Sequence, residues 1–134
     1  MTQSIQIKQH AIDDMIAHSK ELAPVESCGY LAGTPGQITR LIRLTNVDNS
    51  PEHFSFDPKE QFAALKDARN LGEVLLSVYH SHPESPARMS EEDLRLLQDP
   101  AMVYIIVSLL NETPDVKAFR TEAGKSIPVE LKIN

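Results

Sequence analysis

Ala11, Ile12, Met15, Ile16, Ser19 and Leu22 recur at steps of three and four, one buried stripe of an amphipathic helix over about 9–22 that Pro24 closes. The apolar stretch 28–33, the turn Thr34-Pro35-Gly36 and the stretch 38–44 predict two strands joined as a hairpin. Residues 46–56 are polar, carry Pro51 and read as a loop. Asp57 as N-cap, Pro58 at the first helical position and Glu60 placed to complete a capping box open a second helix, which ends near Leu71-Gly72. The largely apolar segment 73–80 has the pattern of a strand covered on both faces, and Pro83 stops it. Ser90-Glu91-Glu92-Asp93 supplies a capping hydroxyl and an acidic first turn for a short third helix ending at Asp99-Pro100. Three more strands follow at 102–110, 116–121 and 127–133. The order α-β-β-α-β-α-β-β-β predicts an α/β fold, a single mixed β-sheet flanked by helices.

A chain of 134 residues without repeats or a linker-like tract is expected to form one domain over 1–134. Its 41% hydrophobic and 24% charged residues exclude a disordered or disulfide-scaffold class. A formal charge of -6 argues against nucleic acid as a partner. Cys28, the one cysteine, cannot form an internal bridge, and the opening residues 1–7 lack the basic head and apolar stretch of a secretory signal, so a cytoplasmic address is expected. The longest nearly apolar run, 101–110, is half of the ~20 residues a bilayer requires, so no membrane partner is expected.

His80 and His82 stand two apart on a strand, which sends both imidazoles to one side with backbones about 6 to 7 Å apart. Both can converge on one ion. Zinc then needs a third ligand, and Asp93, in the first turn of the following helix, is the candidate. Three protein ligands keep a fourth position for water, the arrangement of a catalytic rather than a structural zinc. Each residue also has a plainer reading. The histidines can simply end a strand, and Ser90 with Asp93 can form a capping box of about 1 kcal/mol; capping and metal binding do not exclude one another. Tyr79 and Ser81 should face the other side of the sheet. Cys28 beside Gly29 reads as a small buried residue rather than a nucleophile or soft ligand. His10, His18 and His53 have no comparable spacing partners and read as solvated or locally hydrogen-bonded.

The segment His80-Ser81-His82-Pro83, six further residues and then Ser90-x-x-Asp93 resembles the motif of the JAMM (MPN+, Mov34/PAD-1-like) zinc metallopeptidase family. Upstream, Pro24-Val-Glu26-Ser-Cys28-Gly29-Tyr-Leu31-Ala-Gly33 is similar to the glutamate-bearing segment of its short prokaryotic members. The resemblance implies the MPN/JAMM, cytidine deaminase-like architecture. It implies one Zn2+ per chain on His80, His82 and Asp93, with Glu26 as general acid/base for the water that zinc activates. It gives Ser90 the role of steadying that water or the developing oxyanion, beside its capping role.

Members of this family hydrolyse peptide or isopeptide bonds after the C-terminal Gly-Gly of ubiquitin-like proteins, and the short ones act on sulfur carriers. The resemblance therefore implies a zinc-dependent peptidase with a ubiquitin-like sulfur-carrier protein as partner; a homodimer stays open. The alternative is a non-catalytic MPN-type module that only binds a ubiquitin-like partner, against which the intact set of five residues argues. A zinc deaminase would need a Cys-x-x-Cys pair that a single cysteine cannot supply. Loop 46–56 is either an ordinary connector or a lining of the substrate groove.

Overall fold

A computed structural model describes residues 3–134. In chain order it contains β1 (Gln3–Ile7), α1 (Gln9–Leu22), β2 (Cys28–Thr34), β3 (Gln37–Leu44), α2 (Pro58–Asn70), β4 (Val74–His82), α3 (Glu91–Leu96), β5 (Val103–Ser108), β6 (Asp115–Glu122) and β7 (Lys125–Ile133). The seven strands form one sheet in the order β1-β3-β2-β4-β5-β6-β7. It is mixed, as expected: β4 runs parallel to β5, and β1 parallel to both β3 and β7, while the other pairs are antiparallel.

Two features differ from the sequence expectation and share one cause. The strand β1 was not expected, and the sheet closes into a barrel rather than ending at two edges. Only Ile5 and Ile7 alternate inward along β1, between glutamines and a serine, so five residues carry too little periodicity to announce a strand. Its place comes from long-range pairing. Registers with Val129 to Ile133 on one side and Gln37 to Ile38 on the other make β1 the closing stave, which leaves no free edge.

The helices differ in detail. Asp57 caps α2 through the Lys59 amide, but Glu60 does not complete the box; its carboxylate accepts from the Thr45 amide and hydroxyl at 2.7 and 2.9 Å and ties α2 to the end of β3. Helix α3 has both hydrogen bonds of the Ser90–Asp93 box and stops at Leu96, short of Asp99. The Leu97 carbonyl is taken by the Thr121 hydroxyl at 2.9 Å, which draws the chain towards β6.

Strand β4 lies between β2 and β5 and separates two apolar clusters. Tyr79 points to the cluster under α1, with Met15, Leu31 and Ile105. Val78 points to the other, with Tyr30, Tyr104 and Ile106, covered by Ala64 of α2 and Met89. All six residues of β5 are buried, and each full burial of an Ile there stabilises the fold by about 1.5–3 kcal/mol. The two faces of β4 therefore lie in packed surroundings, and the histidine pair at its end inherits that rigidity. Gly29, opposite Arg43 on β3, allows a close pass of these strands: a Cβ there would collide with the Ile42 carbonyl.

Candidate metal centre

Strand alternation places His80 and His82 on the same face of β4, and the capping box of α3 turns Asp93 back over them. The Nε2 atoms of the two histidines are 3.1 Å apart, and Asp93 Oδ2 lies 3.3 Å from His80 Nε2 and 3.1 Å from His82 Nε2. Ligands about 2.0 Å from a tetrahedral zinc sit about 3.3 Å from one another, so these three atoms suit one corner-sharing ion. Their chemistry agrees. His82 Nδ1 donates to the Pro86 carbonyl at 2.8 Å, which leaves Nε2 as a lone pair aimed at the Asp93 carboxylate. Two facing acceptors are relieved by a cation between them. His80 is buried completely and its Nδ1 has no hydrogen-bond partner.

Charge follows from this packing. Burial pushes Asp93 up, but the two imidazoles and the Ser90 amide outweigh it and hold the carboxyl well below the usual carboxylate range. Burial lowers His80, and the Asp93 contacts do not reverse it. In His82 burial is overcome by Asp93 and the Pro86 carbonyl, so its pKa is raised.

Glu26 lies between α1 and β2, 4% exposed, and its Oε1 has no hydrogen-bond partner among the described residues. Burial raises its pKa to about 8; the charge of His82 pulls the other way, and Asp93, Glu92 and Glu52 add to the rise. The carboxyl thus senses the ligand cluster directly. Its backbone is held by neighbours on both sides. The Ser27 amide donates to Ser81 Oγ at 2.8 Å and the Ser81 amide to the Ser27 carbonyl at 3.0 Å, locking the residue after Glu26 to the residue between the two histidines.

Ser90 is exposed, and its hydroxyl accepts from the Asp93 amide at 3.0 Å. Its own amide donates to Asp93 Oδ2 at 3.0 Å, so Ser90 orients the Asp93 carboxylate through the cap. Cys28 is fully buried, and burial pushes its thiol up to about 12, the state of a core residue rather than a nucleophile. His18 departs from the expectation of a solvated or locally bonded side chain. It is buried and hydrogen-bonded to the Tyr79 hydroxyl, sixty-one positions away in the chain. His53 pairs with Asp48 at 2.9 Å, and His10 reaches the Thr39 carbonyl.

Sequence reading missed two residues at this centre. Phe54 stacks on His80 with ring centroids 4.7 Å apart and 26° between planes. Asn46, buried, donates to the Glu26 carbonyl at 3.0 Å. The signal available was two phenylalanines and two asparagines within a largely polar loop, which by itself specifies no partner.

Comparison with known proteins places the chain in a family. A model of the family described as prokaryotic homologs of the JAB domain matches residues 8–122. The CysO-cysteine peptidase of Mycobacterium tuberculosis is 34% identical over 104 residues, 76% of this chain and 71% of that protein. A protein of Thermus thermophilus named as a probable TtuB-protein conjugate cleaving protease is 33% identical over 117 residues, 87% of this chain and 75% of its own length. A solution structure from Desulfitobacterium hafniense superposes with a TM-score of 0.88 at 39% identity, covering 97% of this chain and 92% of that one. The chain belongs to the prokaryotic JAB-domain family, the short branch of the JAMM/MPN+ fold. By class it is a protease.

Proposed function

We propose that this protein is a zinc-dependent peptidase that hydrolyses the peptide or isopeptide bond after the C-terminal Gly-Gly of a ubiquitin-like sulfur-carrier protein, with residues 1–134 acting as one catalytic domain in the cytoplasm. The observation that carries the reading is the triad of His80 Nε2, His82 Nε2 and Asp93 Oδ2 at 3.1–3.3 Å, beside a buried Glu26 oxygen without a partner. A non-catalytic scaffold has no use for that oxygen. The substrate class is supported by relatives whose names specify CysO-cysteine and TtuB-protein conjugates.

His80, His82 and Asp93 would hold the ion, which when bound supplies a Lewis acid and lowers the pKa of water towards about 7. His82 is fixed in its tautomer by Pro86, and Asp93 in its direction by the Ser90 amide. Glu26 accepts the proton of the attacking water at Oε1 and returns it to the leaving amine nitrogen. Burial raises its pKa to about 8, which makes it a stronger base than an ordinary carboxylate and still able to give the proton up. The Ser90 hydroxyl, at the mouth of the centre, is available to donate to the oxygen on which charge develops. Phe54 covers one side of His80 and keeps solvent from that ring.

Mass spectrometry tests the whole reading. Ubiquitin-fold carriers bearing a C-terminal extension, or joined to a lysine, are incubated with zinc-loaded protein. A new carrier ending in Gly-Gly that disappears when a chelator is present is the expected result. Intact carriers in every case, or cleavage indifferent to the chelator, would overturn it.

A further inference from the structure

Loop 45–56 joins β3 to α2 and contains one buried polar side chain with every hydrogen-bonding valence in use. An asparagine amide has two donors and an oxygen with two lone pairs. Asn46 Nδ2 donates to the Glu26 carbonyl and to the His53 carbonyl, each at 3.0 Å, and Oδ1 accepts from the Asp48 amide at 3.0 Å and the Ser55 amide at 3.3 Å. A second strap runs beside it, from the Glu26 amide to the Ser50 carbonyl at 2.9 Å. One side chain thereby ties the peptide of Glu26 to both residues that flank Phe54, and Phe54 is the ring stacked on His80.

We propose that Asn46 is a positioning residue for the hydrolysis, acting through Glu26 and Phe54 and touching neither substrate nor metal. The proposal rests on Glu26 being the general acid/base. The physical reason is the mobility that the loop would otherwise have. Turn-forming segments are the parts of a fold that open most easily, and a misplacement of about 1 Å at a reacting group can cost about 100-fold in rate. Asn46 anchors the loop close to the sheet, because its backbone lies two residues past the end of β3. Its bonds to the Glu26 carbonyl and to the residues on either side of Phe54 hold the Glu26 backbone and the Phe54 ring in one frame. Aspartate cannot replace it, since a carboxylate has no donor for the two carbonyls.

Asn46→Asp is the sharper variant, because it keeps the acceptor for the Asp48 and Ser55 amides and turns the two donor bonds into repulsion between a carboxylate and the Glu26 and His53 carbonyls. Its expected effect is a fall in kcat of about 10- to 100-fold, with KM within about 3-fold and zinc content unchanged by elemental analysis. Glu26→Asp, which already draws the carboxylate back by one methylene, provides the cycle: in that background Asn46→Asp should cost less than about 3-fold. In metal-free protein, NMR should show the His80 ring protons losing the ring-current shift that Phe54 imposes, as they do in Phe54→Leu.

Asn46→Ala repeats these measurements, and melting temperatures show that each variant is folded; if Asn46→Ala unfolds, Asn46→Asp alone decides. Losses that multiply in the Glu26→Asp background, or a wild-type kcat with an unmoved His80 spectrum, would overturn the role of Asn46. Full activity of Glu26→Gln would instead overturn the reading on which it rests.

Discussion

The two faces of β4 are equally buried and chemically opposite. On one, Tyr79 and Ser81 belong to a closed hydrogen-bond chain. The Tyr79 hydroxyl donates to Ser27 Oγ at 2.8 Å and meets His18 Nδ1; Ser27 Oγ lies 3.1 Å from Ser19 Oγ, which donates to the Met15 carbonyl at 2.7 Å. Each of these side chains has a hydrogen-bond partner there. On the other face, at the neighbouring positions of the strand, His80 Nδ1 and the nearby Glu26 Oε1 have none among the described residues, and the His80, His82 and Asp93 side chains converge on one point. Burial without satisfaction costs about 1–3 kcal/mol per group, so a fold retains it only where something outside the chain completes it. The satisfied face holds the strand in place, and the unsatisfied face is the one prepared for a ligand.

That contrast can be broken most directly at His82. His82→Ala should take the protein, purified without a histidine tag, from about one zinc per chain to almost none, with turnover falling to background. Absence of zinc from both proteins would mean that the unsatisfied face is not a metal centre. Glu26→Gln should act on the same face without removing the metal: zinc is retained and kcat falls by about 100- to 10,000-fold. Undiminished cleavage would remove Glu26 from the chemistry. Tyr79→Phe probes the satisfied face and should do the reverse. It strands Ser27 and His18, lowers folding stability by about 1–3 kcal/mol in urea titration, and leaves kcat per folded molecule as it was. A loss of kcat at unchanged stability would erase the distinction between the faces.

The unsatisfied face was the more legible in sequence. His80, His82 and Asp93 were readable because strand alternation and a helix cap are local rules, and local rules translate spacing into direction. The helices and most strands were legible for the same reason. Residues whose role depends on a distant partner were not. The β1 strand is specified by pairing with β7 across almost the whole chain, His18 by Tyr79, and Asn46 by a carbonyl twenty residues before it. Glu60 shows the same limit within a correct helix: its position fits a capping box, and Thr45, brought close only by the folded sheet, takes its carboxylate instead.

The unsatisfied face can also be measured without any metal, through the pH dependence of stability in chelated protein. Folded Glu26 titrates near 8 because it is buried, against 4.5 for an ordinary glutamate. Between those values the folded chain keeps a proton that the unfolded chain has released. The stabilisation from this group is therefore complete below about 4.5 and is lost as pH rises through about 8. Glu26→Gln cannot titrate, so its stability relative to wild type should climb steadily from acid to pH 8 and level off beyond. Subtracting the two urea series removes what both proteins share, such as His18, and leaves Glu26 together with its coupling to His82 and Asp93. A difference that stays flat would mean that Glu26 ionises freely in the folded chain, and the carboxyl would then be as satisfied as anything on the Tyr79 side.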